Sequence, residues 1–122
     1  MRFMVAAADG CQGVYLVEDD MAYGLSAADP TLGDDLTHIV TSGAAGLKQV
    51  KAARAKASAV AASSLTPALP IRRPGKTICL GLNYADHAKE GGHEVPDYPA
   101  LFMRGTTSLI PAGAPIIRPA CS

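Results

Sequence analysis

His87 and Glu90 are the two side chains of this chain best placed to move a proton. They stand at i and i+3, so a helix through them puts both on one face, within reach of each other. An imidazole oriented by a carboxylate is a general base near neutral pH, because the carboxylate stabilises the imidazolium that forms. A solvated helical turn with a chance His-x-x-Glu pair has the same spacing. Arg104 is the third candidate. Its planar guanidinium can grip a carboxylate through two hydrogen bonds, or can serve a structural ion pair.

These residues need elements to carry them. Ile78, Cys79, Leu80 and Leu82 form a β-compatible apolar run that turns at Gly81 and Asn83 into a segment able to be helical from Tyr84 onward. A strand feeding a short helix leaves polar side chains at a strand end, where open sheets usually do chemistry. Gly91-Gly92 and the polar His93-Glu94 follow as a flexible continuation, suited to a lid or to an ordinary surface loop. Leu101–Arg104 reads as a short strand that delivers Arg104 into Gly105-Thr106-Thr107-Ser108. Pro111–Pro119, with three prolines and two isoleucines, reads as an irregular edge-type strand, in which Arg118 is structural.

Three blocks in order, Pro74–Glu90, Pro99–Leu109 and Gly113–Pro119, resemble the opening of the catalytic domain in the fumarylacetoacetate hydrolase family. The N-terminal part resembles that family's small accessory domain only loosely. The resemblance implies an α+β protein: a small N-terminal β-meander with helices, residues 1–66, then the truncated start of a mixed β-roll catalytic domain, residues 67–122. It implies a homodimer when complete, and a divalent cation, Mg²⁺ or alternatively Mn²⁺ or Ca²⁺. The implied reactions are C–C bond hydrolysis, decarboxylation or isomerisation of small β-diketo and α-keto acids. It also implies His87 as the base, Glu90 as its orienting partner and Arg104 as a contact for the substrate carboxylate. The family's metal-binding Glu-x-Glu pair and later Asp fall beyond the equivalent of Ser122. Asp86, Glu94 and Asp97 follow no recognisable site spacing, so no metal is expected on this segment and it is expected to be inactive alone. Two other classes remain open: a noncatalytic binding or assembly module that pairs with another chain, and a free-standing metal-binding domain using His87, His93 and an acid.

Composition bounds these readings. The 122 residues suffice for one ordinary domain and are short for two. Apolar residues make up 48 %, but alanine supplies much of that and aromatics only 5 %, so the core buries little area per residue. A formal net charge of zero argues against a nucleic-acid partner held by bulk electrostatics. Cys11, Cys79 and Cys121 are odd in number and widely spaced, which suits a reducing cytosol better than a disulfide or zinc scaffold. The apolar run Phe3–Ala8 is shorter than the roughly 7–15 residues of a secretory core. No run approaches the ~20 residues of a membrane span. A cytoplasmic location with no membrane partner follows as the expectation.

The N-terminal half reads as a meander. Arg2–Ala8 and Gly13–Glu18 are apolar runs joined by a turn at Asp9-Gly10, a second turn lies at Asp19-Asp20, and Met21–Ser26 is a third strand. Leu36, Ile39, Val40, Gly43, Leu47 and Val50 then form one helical stripe. Gly43 and Gly46 each cost ~1 kcal/mol in a continuous helix, so the stripe divides into helices near Leu32–Ser42 and Ala44–Ala61. Lys48, Lys51, Arg54 and Lys56 make the second basic; without interleaved aromatics this is a solvated face rather than a nucleic-acid surface. The small, proline-bearing stretch 61–70 connects two structural units.

Overall fold

The computed structural model describes residues 1–8 and 10–121. The fold class is α+β, and the chain divides into two compact units. One comprises Met1–Arg72 with the segment from Ile110 on; the other is Arg73–Leu109.

In the first unit β1 (Arg2–Ala8) and β2 (Cys11–Glu18) pair antiparallel from Arg2↔Val17 to Ala8↔Cys11. Gly10 in the expected turn has φ 79°, and its neighbour Asp9 lies outside the described residues. β3 (Met21–Gly24) returns along β2 through the Asp19-Asp20 turn, where Asp19 takes φ 50°, a conformation Asp tolerates better than most residues. The third strand stops two residues earlier than its sequence suggests. Leu25 and Ser26 instead enter the short helix α1 (Leu25–Ala28), because Leu25 is fully buried there.

The long helix α2 (Thr37–Arg54) breaks at Gly43, whose φ of 53° and ψ of −123° are not helical. The stripe therefore divides where glycine permits. The division is sharper than a bend, since His38 Nε2 lies 3.0 Å from Gln49 Oε1 across the break. In a straight helix those residues stand about 16 Å apart along the axis. Gly46 supplies the close approach of the two halves. The first half starts at Thr37, not near Leu32, because Pro30–Leu32 is a separate 3₁₀ turn closed by Gly33 at φ 77°. The second half ends at Arg54. Ala59–Ala61, expected as helix, forms the edge strand β4 along β3. The hydrogen bonds offered by that open edge outweigh alanine's helix preference.

The sheet is completed by β5 (Thr66–Pro67) on the far side of β1, in the order β4-β3-β2-β1-β5. Its period of two sorts side chains by face. Val5, Val14 and Leu16 meet Leu25, Leu32, Ile39, Val50 and Ala53 on the helical side, while Ala6, Ala22 and Leu65 form a smaller cluster on the other. Arg54 donates to Glu18 at 2.7 Å and lies 3.2 Å from the Tyr23 ring centroid, so one cation of the basic face is engaged within its own unit. After β5 the chain is fastened to the start of α2. Leu36 N–H donates to Pro70 O at 2.8 Å, Arg72 N–H to Asp35 Oδ2 at 3.0 Å, and the Arg72 guanidinium pairs with Asp34. Pro111–Pro119 is not a strand. It opens with a turn in which Ala114 N–H reaches Pro111 O with Gly113 at φ 80°, and it continues without a sheet partner among the described residues.

The second unit is built on β6 (Thr77–Gly81) and β7 (Ala100–Arg104), an antiparallel ribbon paired from Thr77↔Arg104 to Gly81↔Ala100. Helix α3 (Ala85–Glu90) lies in the connection between them.

Candidate functional site

The strand-turn-helix that carries the candidate base is present. β6 ends at Gly81, and Leu82 turns the chain with φ 51°, the left-handed region that a γ-branched residue enters at a cost. Tyr84 is extended, at φ −121° and ψ 131°, and opens α3. His87 lies in the middle of this helix and Glu90 at its end, both exposed. Their i, i+3 spacing on a formed helix puts them on neighbouring positions of one face. Among the described residues no hydrogen bond joins the two side chains, and both are open to solvent.

The helix is stopped firmly. His93 N–H donates to Ala88 O at 2.8 Å, and Gly92 N–H to Lys89 O at 3.0 Å, with Gly92 at φ 68°. These are the paired bonds of a Schellman cap. The His93 ring folds over Gly91, where an added Cβ would stand 2.9 Å from its Cδ2. Gly91-Gly92, which in sequence suggest a flexible continuation, thus act as the helix terminator. Ala88 is the buried residue of α3.

Arg104 ends β7, with its guanidinium carbon 5.2 Å from the Phe102 ring centroid. It makes no ion pair among the described residues, so its charge is available. The register sets it apart from the base: Arg104 pairs with Thr77, whereas α3 leaves from the Gly81 end, four residues and about 13 Å along the ribbon at ~3.3 Å per residue. The structure therefore carries His87 and Glu90 on one short helix and does not bring Arg104 beside the strand end that feeds it. A cavity of about 270 Å³ does lie at that end, between Leu80–Asn83 and Val95–Pro99. It offers the polar groups of Asn83 and Asp97, which no spacing in the sequence singles out. The one available signal is that Asn83 stands two residues beyond the strand end.

Mg²⁺, which the resemblance implies, finds no ligand set here. Among the described residues no three His, Cys, Asp or Glu side chains group so as to hold a metal ion, and these residues do not fit that ion. Among the described residues His87 and His93 belong to no such group. Among the described residues no helix is long and apolar enough to cross a membrane.

Residues 76–122 match the sequence model described as fumarylacetoacetate (FAA) hydrolase C-terminal, a stretch that includes His87, Glu90 and Arg104. The human mitochondrial oxaloacetate tautomerase FAHD2A is 36 % identical over 87 residues, covering 70 % of this chain and 28 % of that protein. An uncharacterised protein of Methanocaldococcus jannaschii is 50 % identical over 50 residues, 41 % of this chain and 21 % of its own. The crystal structure of a protein assigned as HpcE from Mycobacterium smegmatis superposes with a TM-score of 0.66 at 23 % identity, over 98 % of this chain and 41 % of that one. This likeness shows a shared fold. The chain spans about a quarter to a third of the tautomerases it matches. Residues 76–122 thus match the C-terminal domain of the fumarylacetoacetate hydrolase family, and the chain is similar to part of proteins of that family.

Proposed function

We propose that this chain supplies the base-bearing part of an enzyme acting on small β-diketo or α-keto acids, with residues 1–66 as accessory domain and 67–122 as the beginning of the catalytic domain. The observation that carries this reading is the coincidence of two independent features. The family match spans His87 and Glu90, and the structure puts them on adjacent positions of one exposed helical turn at a strand end. In this reading the His87 imidazole takes a proton from water or from the carbon beside a carbonyl, and the Glu90 carboxylate holds the resulting imidazolium. Arg104 binds the substrate carboxylate, which requires α3 to settle along the ribbon toward the Thr77↔Arg104 rung. The reaction is C–C bond hydrolysis, decarboxylation or isomerisation. The relatives named as oxaloacetate tautomerases support an isomerisation of this kind.

The divalent cation, Mg²⁺, Mn²⁺ or Ca²⁺, would take its ligands from acids outside the described residues of this chain, and the complete enzyme would be a homodimer. By itself the 122-residue chain should show no turnover. Three free cysteines fit a reducing compartment. That chemistry supports the cytoplasm, whereas several relatives are named as mitochondrial.

The test is a chimera in which residues 76–122 replace the matching segment of human FAHD2A, assayed for oxaloacetate tautomerisation. Activity that survives the graft and collapses on His87→Ala supports the reading. Activity indifferent to that substitution removes His87 from the mechanism.

A further inference from the structure

The two carboxylate oxygens of Asp35 serve different parts of the chain. Oδ1 accepts from the Thr37 N–H at 2.8 Å and closes the first turn of α2, while Oδ2 accepts from the Arg72 N–H at 3.0 Å. The first bond is local. The second joins residues 37 positions apart and ties the chain that leaves β5 to the start of the helix. The strap between them, Ala68–Arg72, is fixed at further points. Ala68 N–H donates to Val5 O at 2.8 Å, Leu36 N–H donates to Pro70 O at 2.8 Å, and Ala68 packs on the helical-side core. The Arg72 guanidinium pairs with Asp34, whose carbonyl accepts from Gln12 Nε2 at 2.9 Å. Beyond Arg72 the fastening stops. Among the described residues no hydrogen bond involves Arg73–Lys76, and pairing resumes at Thr77 with β6. The boundary between the two compact units falls at the same place, between Arg72 and Arg73.

We propose that Asp35 is the anchor that decides where the linker becomes free. While its carboxylate is shared between Thr37 and Arg72, the chain moves only from Arg73. When the Oδ2 bond is lost, the strap peels back to Leu69, where the Ala68 bond to Val5 continues the pairing of β5 and stops it. The Asp34–Arg72 ion pair is the weaker fastening, because both side chains are about half exposed and such pairs contribute little. A backbone N–H held by a carboxylate is charge-assisted and stronger. Fastened, the free connection before β6 is Arg73–Lys76, with a reach of at most about 14 Å; released, it is Leu69–Lys76, with a reach of about 29 Å. One carboxylate thus sets a twofold difference in tether length. The inference goes beyond the proposed function and stands or falls without it.

The test uses the full 122-residue chain, labelled with ¹⁵N, and reads backbone order parameters and amide exchange. In the unaltered chain, order should persist through Ile71 and Arg72 and drop below about 0.6 at Arg73, Gly75 and Lys76. Asp35→Asn is the informative variant, because an amide has one acceptor oxygen and can serve Thr37 or Arg72 but not both. The local cap should keep it, since holding Arg72 closes a long loop against chain entropy. The drop in order should then begin at Leu69, and the Arg72 and Leu36 amides should exchange roughly 10–100-fold faster. The Thr37, Ala68 and Leu16 amides should be unchanged, which separates a released strap from a lost fold. Disorder already beginning at Leu69 in the unaltered chain overturns the proposal, as does order continuing through Lys76. Both are read without any variant, so the proposal stays testable even if Asp35→Asn fails to fold. A folded Asp35→Asn chain that keeps Arg72 and Leu36 protected also overturns it.

Discussion

Gly46 lies directly against the backbone of Ile39: a Cβ built on Gly46 would stand 2.7 Å from the Ile39 carbonyl oxygen and 3.1 Å from its Cα. The obstacle is main chain, which cannot swing aside as a side chain can. Helix propensity alone favours Ala over Gly by ~1 kcal/mol. Forcing the two halves of α2 apart costs more, roughly 1–3 kcal/mol for overpacking of this kind. Gly46→Ala should therefore lower stability in urea denaturation followed by circular dichroism. A gain in the unfolding midpoint would show that the halves do not cross as described.

Leu82 should reward a different substitution. Its φ of 51° costs a non-glycine residue ~1–2 kcal/mol. Leu82→Gly relieves this but frees the unfolded chain by ~0.5–1 kcal/mol, so the net effect should be small. Leu82→Val, β-branched, should be clearly destabilising. Amide hydrogen exchange at Ile78–Leu80 reads both, and equal protection in the two variants would remove the strained turn.

Acid should loosen the first unit through three carboxylates. The Arg54 guanidinium holds Glu18 below its ordinary value of 4.5, and the Thr31 hydroxyl and the Gln49 amide hold Asp29 below 3.8. Burial pushes Asp35 up, but the backbone N–H groups of Arg72 and Thr37, the Thr37 hydroxyl and the Arg72 charge together hold it below 3.8. A depressed folded-state pKa contributes stability above the unfolded value and loses it as pH falls through the folded one. Stability should be level near neutrality and fall below about pH 4. Asp35→Asn should lower the neutral plateau and make the acid slope shallower. A slope unchanged in that variant, in denaturation curves from about pH 3 to about pH 7, would contradict the assignment.

In the chimera with FAHD2A, His87→Ala should reduce kcat by roughly 10²–10⁴-fold, the usual loss for a general base. Glu90→Gln should cost less, because the imidazole remains. Arg104→Lys should act mainly on KM, since an ammonium keeps the charge but not the two-pronged grip. A kcat loss for Arg104→Lys as large as that for His87→Ala would place Arg104 at the reacting atoms instead.

The parts that followed plainly from the sequence are those where local chemistry and tertiary packing agree. The Asp19-Asp20 turn, the break at Gly43 and the strand delivering α3 are of this kind, because glycine, paired acids and alternating apolar residues each leave one conformation favoured. Ala59–Ala61 was illegible because alanine reports only its helix preference, whereas the open edge of β3 decides its state. Leu25 was illegible for the opposite reason, since a four-residue helix is too short to show a period. Within the candidate site, the short helix that carries both His87 and Glu90 was readable from the sequence. The separation of Arg104 from the Gly81 end was not, because it depends on strand register, which adjacent residues do not encode.

The edge strands of the first unit have a practical meaning for handling the protein. β4 offers a newcomer three residues and β5 two, the last of them Pro67, which has no N–H to give. A neighbouring molecule finds no rail long enough to zip along. Concentrated stocks should therefore associate through residues 76–109, with the five-stranded sheet a bystander, so that solubilising substitutions placed in the sheet would be wasted and two charges on the ribbon would clear the solution.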